Sequence, residues 1–280
     1  MISGLTKQEK WMLWMKDKKV KKGLIGIAGG MGPGAGIDLS RKIVEQTLAG
    51  RDQEHIPQIL WSEPDRIFDR TDYLEGRVKT NPAFRIAQVL LKLEAAGASV
   101  VGLACNSAHA PQIFDVIKAE LSDKNSKLLL LHMVREVGSF ISETYPSRRT
   151  VGILGTTGTY VTRQYDLIVE AGLQVLNLPE KEQKKLNLAI YHPAYGVKTN
   201  AETISEKARS ILLAAMTNLV RQGAEAIVLG CTEFPLIYKE KYFMDVPVID
   251  SSLVLARALI RNHSPEKLRP WGTIRLQEAP

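Results

Sequence analysis

Two cysteines, Cys105 and Cys231, are the side chains of this sequence whose surroundings most clearly indicate chemistry. Cys105 follows the apolar run 100–103 and Cys231 follows the apolar run 226–229, and small or polar residues come after each of them. We therefore expect each cysteine at the carboxyl end of a buried strand, beside the start of a helix. The amide dipoles of a helix start stabilise a thiolate, which lowers the pKa of the thiol from about 8.5 toward neutral. A base with such a pKa is efficient at physiological pH.

Four interpretations of the cysteine pair compete. Two thiols on opposite sides of one carbon atom would remove a proton from one face and return one to the other, which inverts a stereocentre without a cofactor. Alternatively, the cysteines are small, inert core residues. Cys105 and His109 could bind a metal, although no Cys-x-x-Cys pair accompanies them. A redox disulfide is disfavoured by the same missing motif and by the long separation in sequence. The equivalent placement of both cysteines favours acid–base chemistry.

Two similar series of elements must position the cysteines. The first half predicts strands at 23–28, 56–61, 100–103 and 128–131, with helices at 37–48, 82–96 and 132–144. The second half predicts strands at 150–155, 173–176, 226–230 and 246–249, with helices ending at Gly172 and covering 201–222 and 251–261. This recurrence predicts an α/β fold of two pseudo-symmetric, Rossmann-like (flavodoxin-like) lobes with parallel sheets. Ligands bind at the carboxyl ends of such strands, so both cysteines, Met31 and Thr157 are expected there.

The glycine-rich loop after the first strand contains Gly30-x-Gly32-x-x-Ala35, which resembles a dinucleotide-binding fingerprint. That fingerprint requires an acidic residue at the end of the next strand. Here the nearest acid, Glu63, comes late, and Pro33 removes an amide that a phosphate would use. Nucleotide binding is therefore disfavoured.

Composition indicates a globular protein of one large or two ordinary domains, with 280 residues, 45% apolar and 24% charged. The net charge of +7 is diffuse apart from a lysine cluster at 16–22, which lacks interleaved aromatic residues and is interpreted as a solvated tail rather than a nucleic-acid site. The apolar runs are too short to cross a bilayer, and residues 11–15 do not form a signal peptide. Two cysteines do not make a disulfide scaffold, which favours a reducing cytoplasm.

Two short motifs resemble the paired signatures of the aspartate/glutamate racemase superfamily. They are Cys105-Asn106-Ser107-Ala108-His109 and Gly230-Cys231-Thr232-Glu233, closest to the aspartate racemase branch with its C-N-T-A-H and G-C-T-E. The loop Gly29-Gly30-Met31-Gly32-Pro33 is similar to the first loop of that branch. Ser107 replaces the usual threonine and keeps its hydroxyl. The resemblance covers about residues 23–262.

The resemblance implies a cofactor-independent racemase with two bases, in which Cys105 and Cys231 alternate as base and acid. The implied substrate-binding residues are Met31, Arg70, Asn106, Ser107, Thr157, Lys198 and Thr232. Arg70 would contact a distal carboxylate, although Phe68 replaces a proline often found beside it, and Lys198 matches a lysine that binds a substrate carboxylate. The alternative for both cations is surface charge. His109 and Glu233 would orient the site, or merely cap helix starts.

We expect a first lobe of residues 23–131 plus 250–262 and a second lobe of 132–249, flanked by an extension (1–22) and a tail (263–280), with the site in the cleft between the lobes. The expected protein is a cytoplasmic homodimer that acts on a small amino acid, aspartate before glutamate, without cofactor, metal, nucleic acid or membrane. Alternatives are a racemase of broad specificity for neutral amino acids, a superfamily member of other activity such as a maleate isomerase or hydantoin racemase, and an inactive binding protein.

Overall fold

The structure is a computed structural model that describes residues 23–199 and 204–272. The predicted extension 1–22, with its lysine cluster, and the last eight residues of the predicted tail lie outside the described residues. None of the helices in the described ranges combines the length and apolar composition that a bilayer crossing requires.

The first half of the chain forms a four-stranded parallel sheet. Its strands are β1 (Leu24–Gly29), β2 (Gln58–Ser62), β3 (Ala98–Leu103) and β4 (Leu129–Leu130), in the order β2-β1-β3-β4. Because parallel neighbours cannot be joined by a hairpin, helices make the crossovers. They are α1 (Pro33–Gln46), α2 (Arg70–Leu74), α3 (Ala83–Ala95) and α4 (Pro111–Asp123). The central strands β1 and β3 are almost wholly buried, as their continuous apolar runs predict.

The second half forms a sheet with the same strand order and one added edge strand. Its strands are β5 (Thr150–Gly155), β6 (Gln174–Asn177), β7 (Ala226–Gly230), β8 (Tyr242–Phe243) and β9 (Val246–Asp250), ordered β6-β5-β7-β9-β8. Of these five strands, β8 runs antiparallel to its neighbour and the others pair in parallel. The remaining helices are α5 (Met133–Thr144), α6 (Thr157–Val161), α7 (Glu180–Tyr191), α8 (Glu206–Arg221), α9 (Phe234–Ile237) and α10 (Ser251–His263). The repeated order confirms the predicted α/β fold.

Two segments of the second half differ from the prediction. Helix α7 lies in a polar segment for which the sequence predicted no helix, because its buried stripe of Leu186, Ala189 and Ile190 is hidden in the sequence by a run of charged residues. The single helix expected to end at Gly172 is instead the short α6 followed by a 3-10 helix (Gln164–Ala171). The left-handed backbone of Arg163, with φ of 51°, interrupts it.

The helix that follows the last parallel strand of each sheet packs against the other sheet. Helix α5 follows the first sheet and packs on the second, and α10 follows the second sheet and packs on the first. In α5, Val134, Val137 and Ile141 join a core cluster with Val151 and Ile153 of β5. In α10, apolar side chains join the cluster that contains the first sheet.

The contact of α10 with β3 is close. A Cβ atom on Gly102 would lie 3.0 and 3.1 Å from the side chains of Leu255 and Leu259. Glycine at this position therefore lets the helix lie against the strand. We propose the lobe boundaries given above on the basis of this exchange, with the chain crossing between lobes at 131–133.

Candidate active site

The carboxyl ends of β3 and β7 bring the two cysteines to one cavity between the lobes. Cys105 and Cys231 are unpaired, are 5% and 4% exposed, and both line a cavity of about 10 Å³. The other lining residues are Met31, Arg70, Thr71, Asn106, Ser107, Thr156, Tyr191, Lys198, Thr232 and Glu233. A cavity of this volume has room for about one water molecule. The cavity as described therefore does not accommodate a molecule as large as an amino acid.

The cavity brings together most of the residues that the sequence indicated, with two exceptions. Thr157 does not line it, whereas the preceding Thr156 does; the Thr157 backbone N–H donates to Asn187 Oδ1 at 3.0 Å. His109 lies behind the Cys105 turn and lines a different cavity. Thr71, Thr156 and Tyr191 also line the cavity and were not indicated by the sequence. Tyr191 ends helix α7, so only recognition of that helix could have indicated it.

Cys231 faces a carboxylate. Its Sγ lies 3.4 Å from Glu233 Oε2, which also accepts a hydrogen bond from the Thr232 hydroxyl at 3.0 Å. Burial and the charge of Glu233 raise the pKa of the Cys231 thiol well above its usual value. The expected lowering of this pKa is therefore wrong. The helix beyond Cys231 is only the four-residue α9, and its dipole does not offset burial and a neighbouring negative charge.

Cys105 faces a cation. The Arg70 guanidinium is 5% exposed, donates to the carbonyls of Phe68 (3.1 Å) and Met31 (2.5 Å), and interacts with the Cys105 sulfur. Burial lowers the pKa of Arg70, but the charges of Cys105 and Asp69 outweigh burial and raise it. Arg70 is therefore not a surface charge. The two sulfurs have opposite electrostatic neighbours, a guanidinium at Cys105 and a carboxylate at Cys231.

The turn that carries Cys105 also differs from a simple helix start. A 3-10 turn (Ser107–His109) follows the cysteine, and the α-helix α4 begins only at Pro111. The cation near the sulfur is thus a side chain from α2, rather than the end of a long helix.

A second cation, Lys198, also lines the cavity, and it shares the Asp69 carboxylate with Arg70. Its Nζ is 3.4 Å from Asp69 Oδ2, 3.2 Å from the Tyr191 hydroxyl and 4.5 Å from the centre of the Tyr191 ring. Burial lowers the pKa of Lys198, but Tyr191 and Glu233 outweigh burial and raise it. Lys198 therefore remains an ammonium group at neutral pH, held at the edge of the cavity by the Asp69 carboxylate.

Hydroxyl groups connect the two lobes across the cavity. Ser107 Oγ lies 3.0 Å from Thr156 Oγ1, and Thr71 Oγ1 lies 3.4 Å from Thr156 Oγ1 and 3.1 Å from the Tyr191 hydroxyl. Ser107 and Thr71 belong to the first half of the chain, and Thr156 and Tyr191 to the second. A polar ligand that enters between the lobes would exchange these hydrogen bonds for its own.

Asn106 is held by its neighbours on three sides. Its Nδ2 donates to Ser251 Oγ at 3.0 Å, its Oδ1 accepts from the Tyr165 hydroxyl at 2.6 Å, and its backbone carbonyl accepts from Gln164 Nε2 at 2.8 Å. The Asn106 amide is buried and already engaged by these groups. Its side chain therefore fixes the position of the Cys105 turn against the second half of the chain.

His109 supports the same turn from behind. Its Nδ1 donates to the carbonyl of Cys105 at 2.9 Å, and the ring is fully buried. Burial lowers the pKa of His109 to about 4, so the imidazole is neutral at physiological pH. His109 thus orients Cys105 as a neutral hydrogen-bond donor.

Comparisons with known proteins show the family to which the sequence is similar. The sequence model of the Asp/Glu/Hydantoin racemase family matches residues 28–259. The broad specificity amino-acid racemase RacX of Bacillus subtilis is 26% identical over 254 residues, which is 86% of this chain and 98% of that protein. Glutamate racemase of Pseudomonas paraeruginosa is 27% identical over 240 residues, which is 83% of this chain and 77% of that protein.

Solved structures give the same result. The aspartate racemase of Picrophilus torridus superposes with a TM-score of 0.71 at 27% identity, over 89% of this chain and 96% of that one. A putative Asp/Glu racemase from Yersinia pestis superposes with a TM-score of 0.65 at 26% identity, over 84% of this chain and 96% of that one.

Proposed function

Because this chain belongs to the Asp/Glu/hydantoin racemase family, we propose that it is a cofactor-independent amino-acid racemase in which Cys105 and Cys231 act at opposite faces of the α-carbon. One observation carries the proposal: both cysteines line the same enclosed cavity, and their electrostatic neighbours have opposite signs. A pair of thiols that serves as base and acid needs such an asymmetry at the start of each turnover.

One turnover consists of a proton transfer to one cysteine and a proton transfer from the other. The thiolate of Cys105, beside Arg70, accepts the α-proton, and the bond pair stays on the α-carbon as a carbanion. The thiol of Cys231, held protonated by burial and by Glu233, donates its proton to the opposite face. The product has inverted configuration, Cys105 is now a thiol, and Cys231 is a thiolate. The enantiomer is processed by the same transfers in reverse.

The hydroxyl groups of the cavity and the two cations would hold the substrate. Ser107, Thr156 and Thr71 offer donors and acceptors for the α-carboxylate and α-amino groups. Arg70 Nε is buried and lacks a hydrogen-bond partner among the described residues, so it is a donor available to an anionic group near Cys105. With Lys198 as a second cation in the lining, this arrangement favours aspartate first and glutamate second.

A racemase of broad specificity for neutral amino acids is the second candidate. Two nitrogens of Arg70 already donate to backbone carbonyls, and Lys198 is paired with Asp69. The positive charges of Arg70 and Lys198 therefore already have partners within the protein, and neither side chain requires a substrate carboxylate. The similarity to a broad specificity racemase points the same way.

A racemisation screen tests the proposal. Each common L- and D-amino acid is incubated with the protein in D₂O, and enantiomers and α-deuterium are measured by chiral chromatography and mass spectrometry. We expect aspartate to give the highest kcat/KM. Absence of α-deuterium in every amino acid would show that the protein is not a racemase, whereas faster turnover of methionine, homoserine or alanine would favour the second candidate.

A further inference from the structure

One carboxylate, Asp69, is shared by the two cations of the cysteine cavity. Its Oδ2 lies 3.4 Å from Lys198 Nζ and 4.0 Å from Arg70 Nη2. Arg70 and Lys198 both line the cavity, whereas Asp69 is outside its lining. Asp69 therefore lies beside the site as a counter-ion of both cations, and the proton transfers proposed above do not use it.

Helix α2 holds this carboxylate in place. Asp69 is the N-cap of the helix, and its Oδ1 accepts from the backbone N–H groups of Thr71 at 2.7 Å and Asp72 at 3.2 Å. Burial raises the pKa of the Asp69 carboxyl, but the charges of Lys198 and Arg70 and these two hydrogen bonds outweigh burial and lower it. The carboxylate is therefore ionised at neutral pH, and it cannot turn away from the cations without losing the cap.

Lys198 is engaged by groups from both halves of the chain. An ammonium group has three N–H donors, and the contacts with Asp69 Oδ2 at 3.4 Å and the Tyr191 hydroxyl at 3.2 Å account for two of them. Asp69 belongs to the first half of the chain, and Lys198 and Tyr191 belong to the second. A second carboxylate on a substrate would therefore meet a lysine that already has an anionic partner from the opposite half.

The charges around the cavity are balanced when Asp69 is included. Of the charged residues that line the cavity, Arg70 and Lys198 are cations and Glu233 is a carboxylate. With Asp69, two cations face two carboxylates, and the thiolate form of Cys105 adds a further negative charge. The ammonium and α-carboxylate groups of an amino acid cancel each other, so an uncharged side chain leaves the net charge of the site unchanged. An acidic side chain adds a negative charge to a site whose cations are already matched.

We propose that Asp69 is a specificity-determining residue: as the shared counter-ion of Arg70 and Lys198, it limits the preference of the site for an acidic amino acid over the uncharged amino acid of the same shape. Specificity is a difference between two affinities, and the Asp69 charge weakens only the binding of the more anionic ligand. This inference rests on the racemase function proposed above, because it concerns which amino acids that site takes.

Asp69→Asn isolates the charge, because asparagine caps a helix as well as aspartate does and has nearly the same shape. Aspartate and asparagine are matched substrates for the same reason. The ratio of kcat/KM for aspartate to that for asparagine should rise at least tenfold in Asp69→Asn. Asp72→Asn is the control, since it removes a carboxylate from the same helix that pairs with Arg77 at 2.6 Å outside the cavity lining. It should leave the ratio within threefold of the wild-type value.

A second measurement needs no turnover. Succinate and succinamate differ only in that one carboxylate of succinate is an amide in succinamate, and calorimetry on the full chain gives the Kd of each. Asp69→Asn should bind succinate at least tenfold more tightly than the wild type does and should change the Kd of succinamate by less than threefold. If Asp69→Asn turns over too slowly for kinetics, this comparison decides.

The inference about Asp69 fails if the aspartate-to-asparagine ratio stays constant or falls in Asp69→Asn, or if Asp72→Asn raises it equally. It also fails if Asp69→Asn does not bind succinate more tightly than the wild type does. Absence of racemisation in the wild type would contradict the proposed function, and calorimetry would still decide the role of Asp69. Racemisation with an unmoved ratio would contradict the role of Asp69 alone.

Discussion

The Cys231 thiol donates to the Glu233 carboxylate, with Sγ 3.4 Å from Oε2, and the other oxygen of that carboxylate lies against Gly32. A Cβ atom on Gly32 would come within 3.1 Å of Glu233 Oε1. The loop after β1 therefore keeps glycine beside the acid that faces this thiol. Because burial and the carboxylate raise the pKa of Cys231, the thiol holds its proton when the cavity is closed.

Glu233→Gln should shift the titration of Cys231. Removing the negative charge removes one of the two causes that raise the pKa, so the pH profile of Cys231 alkylation by iodoacetamide should move to lower pH. Racemisation should slow roughly tenfold to a hundredfold, at the lower end of general acid–base effects. Glu240→Gln, at an exposed carboxylate, is the control. An unmoved alkylation profile would mean that Glu233 does not control the thiol.

Cys105→Ser and Cys231→Ser should each abolish racemisation, because each thiol serves one face of the α-carbon. Each single variant should still exchange the α-proton of one enantiomer with D₂O, and the two variants should exchange opposite enantiomers. The measurement is chiral chromatography combined with mass spectrometry. A serine variant that racemises at nearly the wild-type rate would disprove the assignment of two bases.

Arg70→Ala should lower kcat/KM for aspartate. The corresponding activation free energy should rise by about the contribution of a hydrogen-bonded ion pair, roughly 2–5 kcal/mol. Comparison with alanine as substrate separates two roles of this arginine. If Arg70 binds the distal carboxylate, the aspartate rate falls far more than the alanine rate; if it acts on Cys105, both fall together. Arg66→Ala, at an exposed neighbouring cation, is the control. Unchanged rates for both substrates would remove Arg70 from the site.

Tyr165→Phe should destabilise the protein by about 1–3 kcal/mol, because it leaves the buried Asn106 Oδ1 without the hydroxyl that donates to it at 2.6 Å. Urea unfolding measures the free energy. Tyr160→Phe, at a half-buried tyrosine in α6, is the matched control and should change stability by less than about 0.5 kcal/mol. Equal stability of wild type and Tyr165→Phe would show that this bond does not fix the Cys105 turn.

Activity should not depend on pyridoxal phosphate or a metal ion, since paired thiols can carry out both proton transfers. The purified protein should lack cofactor absorbance and keep its activity in a chelator. Iodoacetamide should inactivate it, and substrate should protect it. Loss of activity in the chelator, restored by a divalent metal, would contradict the mechanism.

The sequence predicted the sheets and the cysteine signatures well, because continuous apolar runs and short motifs are local features. Helix α7 was not predicted, since its buried stripe is interrupted by charged residues at the solvent face. The sequence also indicated Thr157 as a residue of the site, whereas the neighbouring Thr156 lines the cavity. Adjacent residues at the end of a strand differ only in direction, which the backbone of the turn decides.

The electrostatics of the site could not be predicted from the sequence. The motif around Cys231 suggested a helix dipole that lowers the pKa, whereas burial and Glu233 raise it. Likewise, the resemblance implied that Arg70 contacts a distal carboxylate, with surface charge as the alternative, and neither interpretation indicated its interaction with Cys105. Both effects depend on distances between segments far apart in the chain.

The exchange of α5 and α10 between the lobes has a consequence for synthesis of the chain. One face of the first sheet is covered by Leu39 and Ile43 of α1 together with Leu255 and Leu259 of α10, and α10 is synthesised long after the sheet. A nascent chain that ends before α10 lacks the part of this cover that Leu255 and Leu259 provide. The first lobe is therefore completed only after translation has passed residue 263, where α10 ends.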